Sequence, residues 1–124
     1  MGFLKKFLRS TEVKETKELP WISLTDIKQL DLIHELSKNK IQIIFKYSTR
    51  CGISRIMLNR FVDLYDLAEE TADLYYLDII RYRNISDAIA HRFHVYHESP
   101  QVLMIKNKKV IAHASHSAIS KIGF

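Results

Sequence analysis

The chain has 124 residues, 47% of them hydrophobic and 27% charged, with a formal net charge of +5. That length and balance fit one globular domain with a core of its own, while a single cysteine excludes an intrachain disulfide and fits a reducing cytoplasm. Lysines and arginines are scattered from Lys5 to Lys121 with no block that would track a phosphate backbone, so no nucleic-acid partner is expected; no apolar run approaches the ~20 residues of a membrane span.

Residues 1–20 read as a basic N-terminal tail or an extra short helix, and residues 21–124 as the domain proper. Phe3, Leu4, Phe7 and Leu8 make one side of a basic amphipathic turn or two, whereas Thr11 to Glu18 is charged and without apolar period. The apolar part is too short and interrupted for a signal-peptide core. Lys6 stands where N-myristoylation wants Ser or Thr. One short amphipathic turn binds membranes weakly, so no membrane contact is expected of the tail.

Pro20 opens the domain, and Trp21-Ile22-Ser23-Leu24 suits a short first strand. Thr25 or Asp26 caps a helix whose apolar positions are Ile27, Leu30, Ile33 and Leu36. After a turn at Asn39-Lys40 comes Ile41-Gln42-Ile43-Ile44-Phe45, short, apolar and β-branched, the pattern of a buried strand. Ile56, Met57, Phe61, Leu64, Tyr65 and Ala68 then recur at helical spacing. A second strand spans Ala72 to Ile80. Asn84 is placed to cap a crossover helix with Ile85, Ala88, Ile89, Ala90 and Phe93 inward. Gln101–Lys106 and Lys109–His113 read as a hairpin joined at Asn107-Lys108, although no Gly marks the turn. Ser115 or Ser117 caps a last short helix with Ile119 and Ile122.

The only cysteine falls between the central strand and the first turn of the following helix. Orphan backbone N–H groups and the positive end of the helix dipole converge there and favour thiolate over thiol. Arg50 beside it, and Lys46, add positive charge. Cys51 is therefore expected to be a reactive thiol. Ser54 follows at the position where a dithiol enzyme carries a second, resolving sulfur, so chemistry at Cys51 is expected to be monothiol and to need an external thiol for release. The order αβαβαββα, with one short strand in front, requires right-handed crossovers and then an antiparallel hairpin. The expected fold is α/β and thioredoxin-like: three layers, a central mixed sheet of four or five strands, and helices on both faces.

Parallel strands at 41–46 and 73–80 open their carboxyl ends on one edge of the sheet, where ligands of α/β folds bind. That geometry brings Arg81 and Arg83 toward Cys51, and the returning hairpin strand brings His113, Ser115 and His116. His113 and His116 have H-x-x-H spacing, yet a strand end separates them and no acidic residue is near in sequence, so no metal site is expected.

The segments Phe45-Lys46-Tyr47-Ser48-Thr49-Arg50-Cys51-Gly52-Ile53-Ser54, Tyr76-Leu77-Asp78, His97-Glu98-Ser99-Pro100-Gln101 and His113-Ala114-Ser115-His116, in this order over roughly residues 21–120, resemble the monothiol bacilliredoxins. Gly52 stands where that family commonly has proline, and Tyr47 where it commonly has histidine. The resemblance implies a thiol–disulfide oxidoreductase that removes bacillithiol from mixed disulfides on proteins. Cys51 would be the nucleophile and a second low-molecular-weight thiol the regenerant. Bacillithiol would be a co-substrate, with no tightly bound cofactor. It also implies a cis peptide bond before Pro100, facing the thiol, with the Ser99 backbone offered to a docking peptide. Arg50, Gly52 and Ser54 would support Cys51. Thr49, Arg81, Arg83, His113, Ser115 and His116 would receive the malate carboxylates of bacillithiol. Cys51-Gly52-x-Ser54 also resembles the centre of the iron–sulfur monothiol glutaredoxins, which implies cluster binding or carriage as the alternative.

Overall fold

The computed structural model describes residues 18–124, so the reading of residues 1–17 as tail or helix lies outside the described residues. Five strands form one sheet in the order β1-β3-β2-β4-β5: β1 Trp21–Ser23, β2 Ile41–Tyr47, β3 Ala72–Asp78, β4 Gln101–Lys106 and β5 Lys109–Ser115. β1 and β2 both run parallel to β3, while β4 is antiparallel to β2 and to β5. The short first strand is thus a true edge strand. Three α-helices cover the sheet: α1 Gln29–Leu36, α2 Gly52–Leu64 and α3 Arg83–Phe93. A six-residue 3-10 helix, His116–Lys121, closes the chain.

Side-chain alternation along β2 divides the molecule into its layers. Ile44 packs with Tyr75, Leu77 and Leu103 against Leu30 and Ile33 of α1 and Ile85, Ile89 and Phe93 of α3. Ile43, Phe45 and Tyr47 face the other way, against Met57 and Phe61 of α2, Tyr65 and Ile119. β2 is therefore covered on both faces, which is why Ile43, Ile44 and Phe45 follow one another without polar alternation, and why Gln42 and Lys46 are buried with them. Trp21, Phe45, Phe61 and Tyr76 interlock on the α2 side at ring separations of 5.4–6.3 Å.

Several boundaries differ from the sequence reading. Asp26 and Gln29 bond reciprocally ahead of α1: the Asp26 carbonyl accepts the Gln29 N–H and the Gln29 side-chain oxygen accepts the Asp26 N–H, while the Asp26 carboxylate accepts the Lys28 N–H. This locks a turn before the regular helix and leaves Ile27 at 47% exposure rather than inward. On α2, Ile56 and Leu64 are likewise exposed, and Ala68 lies beyond the helix. Asn84 sits inside the first turn of α3, because the Tyr82 carbonyl already accepts the N–H groups of Ile85 and Ser86. Ser115 ends β5 and precedes the 3-10 helix without a side-chain capping bond, and Ile122 follows that helix.

The hairpin turn is Asn107-Lys108, at φ 52° and 68°. Both residues are left-handed, the geometry that two-residue hairpins favour because it matches strand twist. Asn adopts it readily, whereas Lys adopts it at a steric cost. The backbone N–H groups of both residues anchor the turn on Ser37, through its carbonyl at 2.7 Å and its hydroxyl at 2.8 Å. Lys108→Gly keeps those backbone bonds and removes the Cβ conflict. It should stabilise the fold by about 0.5–1 kcal/mol, read as a higher urea midpoint at unchanged slope. A midpoint at or below that of the parent chain would show that the turn is unstrained.

Candidate functional site

Tyr47, at the end of β2, organises the edge where the thiol lies. It pairs with Asp78 of β3, and its carbonyl accepts the Ile79 N–H at 3.0 Å. On its other side the β2–β4 register ends at Lys46 opposite Gln101. One step further sets Pro100 beside Tyr47. The chain then turns tightly: the Cys51 N–H donates to the Ser48 carbonyl at 3.2 Å, and the Arg50 N–H to the Ser48 hydroxyl at 3.3 Å. Cys51 is the extended residue at φ −112°, ψ 119° from which α2 starts.

The orphan N–H groups of that first turn act on the sulfur directly. The Cys51 thiol is held below the ordinary thiol range, first by the Ser54 backbone N–H, with the Ile53 N–H and the Ser54 hydroxyl adding to it against the opposing effect of burial. Ser54 is wholly buried on the inner face of α2, and its oxygen accepts the Ser48 N–H at 3.2 Å. One hydroxyl thereby joins the turn and the thiol. Neither Arg50 nor Lys46 is among the groups that lower Cys51. Arg50 is exposed. Gly52 has open space around it and no positive φ, so neither backbone nor packing requires a glycine there. Thr49 is exposed in the turn.

Lys46 is the larger departure. Alternation sends it to the face opposite Phe45 and Tyr47, wholly buried under α3, where its ammonium donates to the Ser86 carbonyl at 3.3 Å. Burial brings its pKa down to about 8. Ser86 Oγ shares a 2.7 Å hydrogen bond with His97 Nδ1, and burial followed by the Lys46 charge lowers the His97 pKa. Sequence reading missed Ser86, Gln101 and Ser48. The alternation of β2 held the signal for Lys46, whereas the serines carry none.

The Ser99–Pro100 peptide bond is cis and Pro100 is buried. The Ser99 hydroxyl is buried with no hydrogen-bond partner, as is Gln101 Oε1. The Gln101 amide nitrogen donates to the Tyr96 carbonyl at 2.9 Å and meets Ser115 Oγ at 3.3 Å. Ser115 pairs with Gln101 across the hairpin, and the His116 N–H donates to the Pro100 carbonyl at 2.9 Å. Those two residues thus come to the edge with Pro100. His113 does not. It pairs with Leu103, which packs on the α1/α3 face, and it lines a cavity with Phe93, His94, Lys108 and Val110 at the far end of α3. Arg83 is engaged by Asp87 at 3.1 Å, with both groups largely exposed. Arg81 stays exposed, its guanidinium 5.8 Å from the Tyr82 ring. Among the described residues no group of three or more His, Cys, Asp or Glu is arranged to hold a metal ion, and no helix is long and apolar enough to cross a membrane.

The comparisons with known proteins agree with this geometry. A structure described as an oxidoreductase with a thioredoxin fold is 33% identical, with 80% of this chain and 85% of that one covered at a TM-score of 0.68. Thioredoxin of Malassezia sympodialis, at 15% identity, covers 89% and 90% with a TM-score of 0.67. Oxidised thioredoxin O2 of Arabidopsis thaliana, at 14% identity, covers 82% and 86% with a TM-score of 0.63; these two share the fold. The sequence model of the family described as monothiol bacilliredoxin BrxC matches residues 22–122. With its sole cysteine at the start of α2 and a serine in the turn below it, the chain belongs to the monothiol bacilliredoxin family.

Proposed function

We propose that Cys51 removes bacillithiol from mixed disulfides on proteins, in a reducing cytoplasm. The observation that carries this reading is a partly exposed thiol, lowered by the N–H groups of α2, with a hydroxyl instead of a second sulfur one turn below it. The thiolate attacks the bacillithiol sulfur of the modified protein. The old S–S bond breaks as the new one forms, the electron pair leaves on the protein's sulfur, and that thiolate takes its proton from water. Cys51 now carries bacillithiol. Ser54 has no sulfur with which to expel it, so a second bacillithiol thiolate attacks, restoring Cys51 and leaving as bacillithiol disulfide. No net oxidant or reductant beyond the small thiol is consumed.

The test is transfer of the small thiol. Incubated with a bacillithiolated protein, the wild-type chain should gain one bacillithiol at Cys51 by intact-mass analysis as the substrate loses one, and Cys51→Ser should gain none. A substrate that keeps its modification in the presence of the reduced wild-type chain would overturn the assignment.

A further inference from the structure

The surface around Cys51 is uneven in charge and in polarity. The first turn of α2 carries no acidic residue. Ile53 and Ile56 project from it at 49% and 51% exposure, three residues apart and so on one side of the helix. Arg50 precedes the sulfur and Arg55 follows one turn later. Both are exposed, and neither joins an ion pair among the described residues. Beyond β3, on the same edge of the sheet, Ile80 is 44% exposed and Arg81 is exposed without an ion pair. One carboxylate oxygen of Asp78 at this edge accepts the backbone N–H groups of Ile80 and Arg81, and the carboxylate makes no ion pair with Arg81. Glu98 lies on the opposite, Pro100 side. A side chain placed at Gly52 would meet nothing within 4 Å, so the approach over this turn is open.

Scattered exposed isoleucines need no explanation. Three of them, with three guanidinium groups that join no ion pair among the described residues, on the sheet edge that carries the reactive sulfur do. Resting on the function proposed above, we propose that the protein substrates present their modified cysteine within an acidic segment that also carries aliphatic side chains. The acidic residues lie over α2 and the loop after β3, against Arg50, Arg55 and Arg81, and the aliphatic ones meet Ile53, Ile56 and Ile80. Charge complementarity selects the occupant: exposed guanidinium groups that join no ion pair among the described residues favour carboxylates across the interface, which also steer the encounter. The patch runs about 8 Å along α2 from Cys51 to Ile56 at the ordinary helical rise. A chain segment spans that length while its disulfide sits on Cys51.

The experiment compares two synthetic peptides of equal length, each with one bacillithiolated cysteine flanked by leucines. One has aspartates around this core and the other lysines. Bacillithiol disulfide serves as a third substrate with no peptide. Transfer onto the full chain is followed by stopped flow. At low salt the acidic peptide should react about tenfold faster than the basic one, and the gap should close at about 1 M salt, where the screening length is roughly 3 Å. Arg55→Glu should abolish or invert the preference while both peptides still react. Equal rates for the two peptides, or a preference that survives Arg55→Glu, would overturn the docking proposal and leave the function intact. So would an Arg55→Glu variant slowed equally on bacillithiol disulfide, since the arginine would then serve the small thiol. Transfer from neither peptide nor from the disulfide would overturn both readings.

Discussion

Lys46→Met should make the protein more stable at neutral pH by about 2–3 kcal/mol, a large share of a domain's typical stability. The wild-type ammonium is wholly buried, donates to the Ser86 carbonyl, and among the described residues has no carboxylate in ion-pair contact. Its pKa falls from 10.5 to about 8, which corresponds to about 3 kcal/mol against the charged form. The sign follows from proton counting. Between pH 8 and 10.5 the unfolded chain holds a proton that the folded chain has lost, so stability rises with pH through that window. Below pH 8 both forms are charged and the folded one bears the full burial cost. Methionine fills a similar volume without the charge, and the Ser86 carbonyl lies within α3, where the helix ladder also uses it.

The gain should therefore be largest at pH 7 and vanish near pH 11, as the wild-type amine becomes neutral. Urea unfolding of both chains at several pH values checks it. A variant that is less stable at pH 7 would mean that the Ser86 contact outweighs the buried charge. A second readout is His97, whose pKa is lowered by burial and then by the Lys46 charge. In the variant its NMR titration should move up toward the ordinary imidazole value. The accompanying loss of stability as pH falls below ~6.5 should shrink, because the unfolded chain no longer takes its proton so far ahead of the folded one.

What the sequence shows and what it hides divides along a physical line. Period and turn chemistry are local, so the buried β2, the hairpin at Asn107-Lys108 and the placing of Cys51 between strand and helix were all legible. Lys46 was legible only in part. Its position on β2 is plain, but reading it as a neighbour of the thiol ignored that residues 45 and 46 point to opposite faces. His113 failed for a different reason. Its distance from the edge depends on the register that pairs it with Leu103, and with Ser115 rather than His113 opposite Gln101, which no local pattern encodes. Arg50 followed the chemistry of cations near sulfur, whereas the structure gives the effect to N–H groups that every helix N-terminus has. Ser48 and Ser86 matter through single hydrogen bonds made by folding, and a serine in a sequence does not announce them.

Ser54→Ala should raise the Cys51 pKa and slow its reactions near neutrality without abolishing them. The serine acts on the sulfur in two ways, through its backbone N–H and through its hydroxyl, and the substitution removes only the hydroxyl. The N–H groups of residues 53 and 54 remain, so the thiol should stay below the ordinary range. Arg50→Ala should leave the titration in place, since the guanidinium is exposed and is not among the groups that lower the thiol. The measurement is thiolate absorbance in the ultraviolet against pH, paired with alkylation rates for wild type and both variants. The wild-type rate should level off at lower pH than that of Ser54→Ala, and the two plateaus should be close, since a more basic thiolate is only modestly more nucleophilic. The same change deprives the Ser48 N–H of its acceptor, at a cost of about 1–3 kcal/mol. That separates the two roles of one oxygen, because stability reads the turn and titration reads the sulfur. An Arg50→Ala titration displaced as far as that of Ser54→Ala would transfer control of the thiolate from the start of α2 to an exposed surface charge, and adding salt would then raise the wild-type pKa as well.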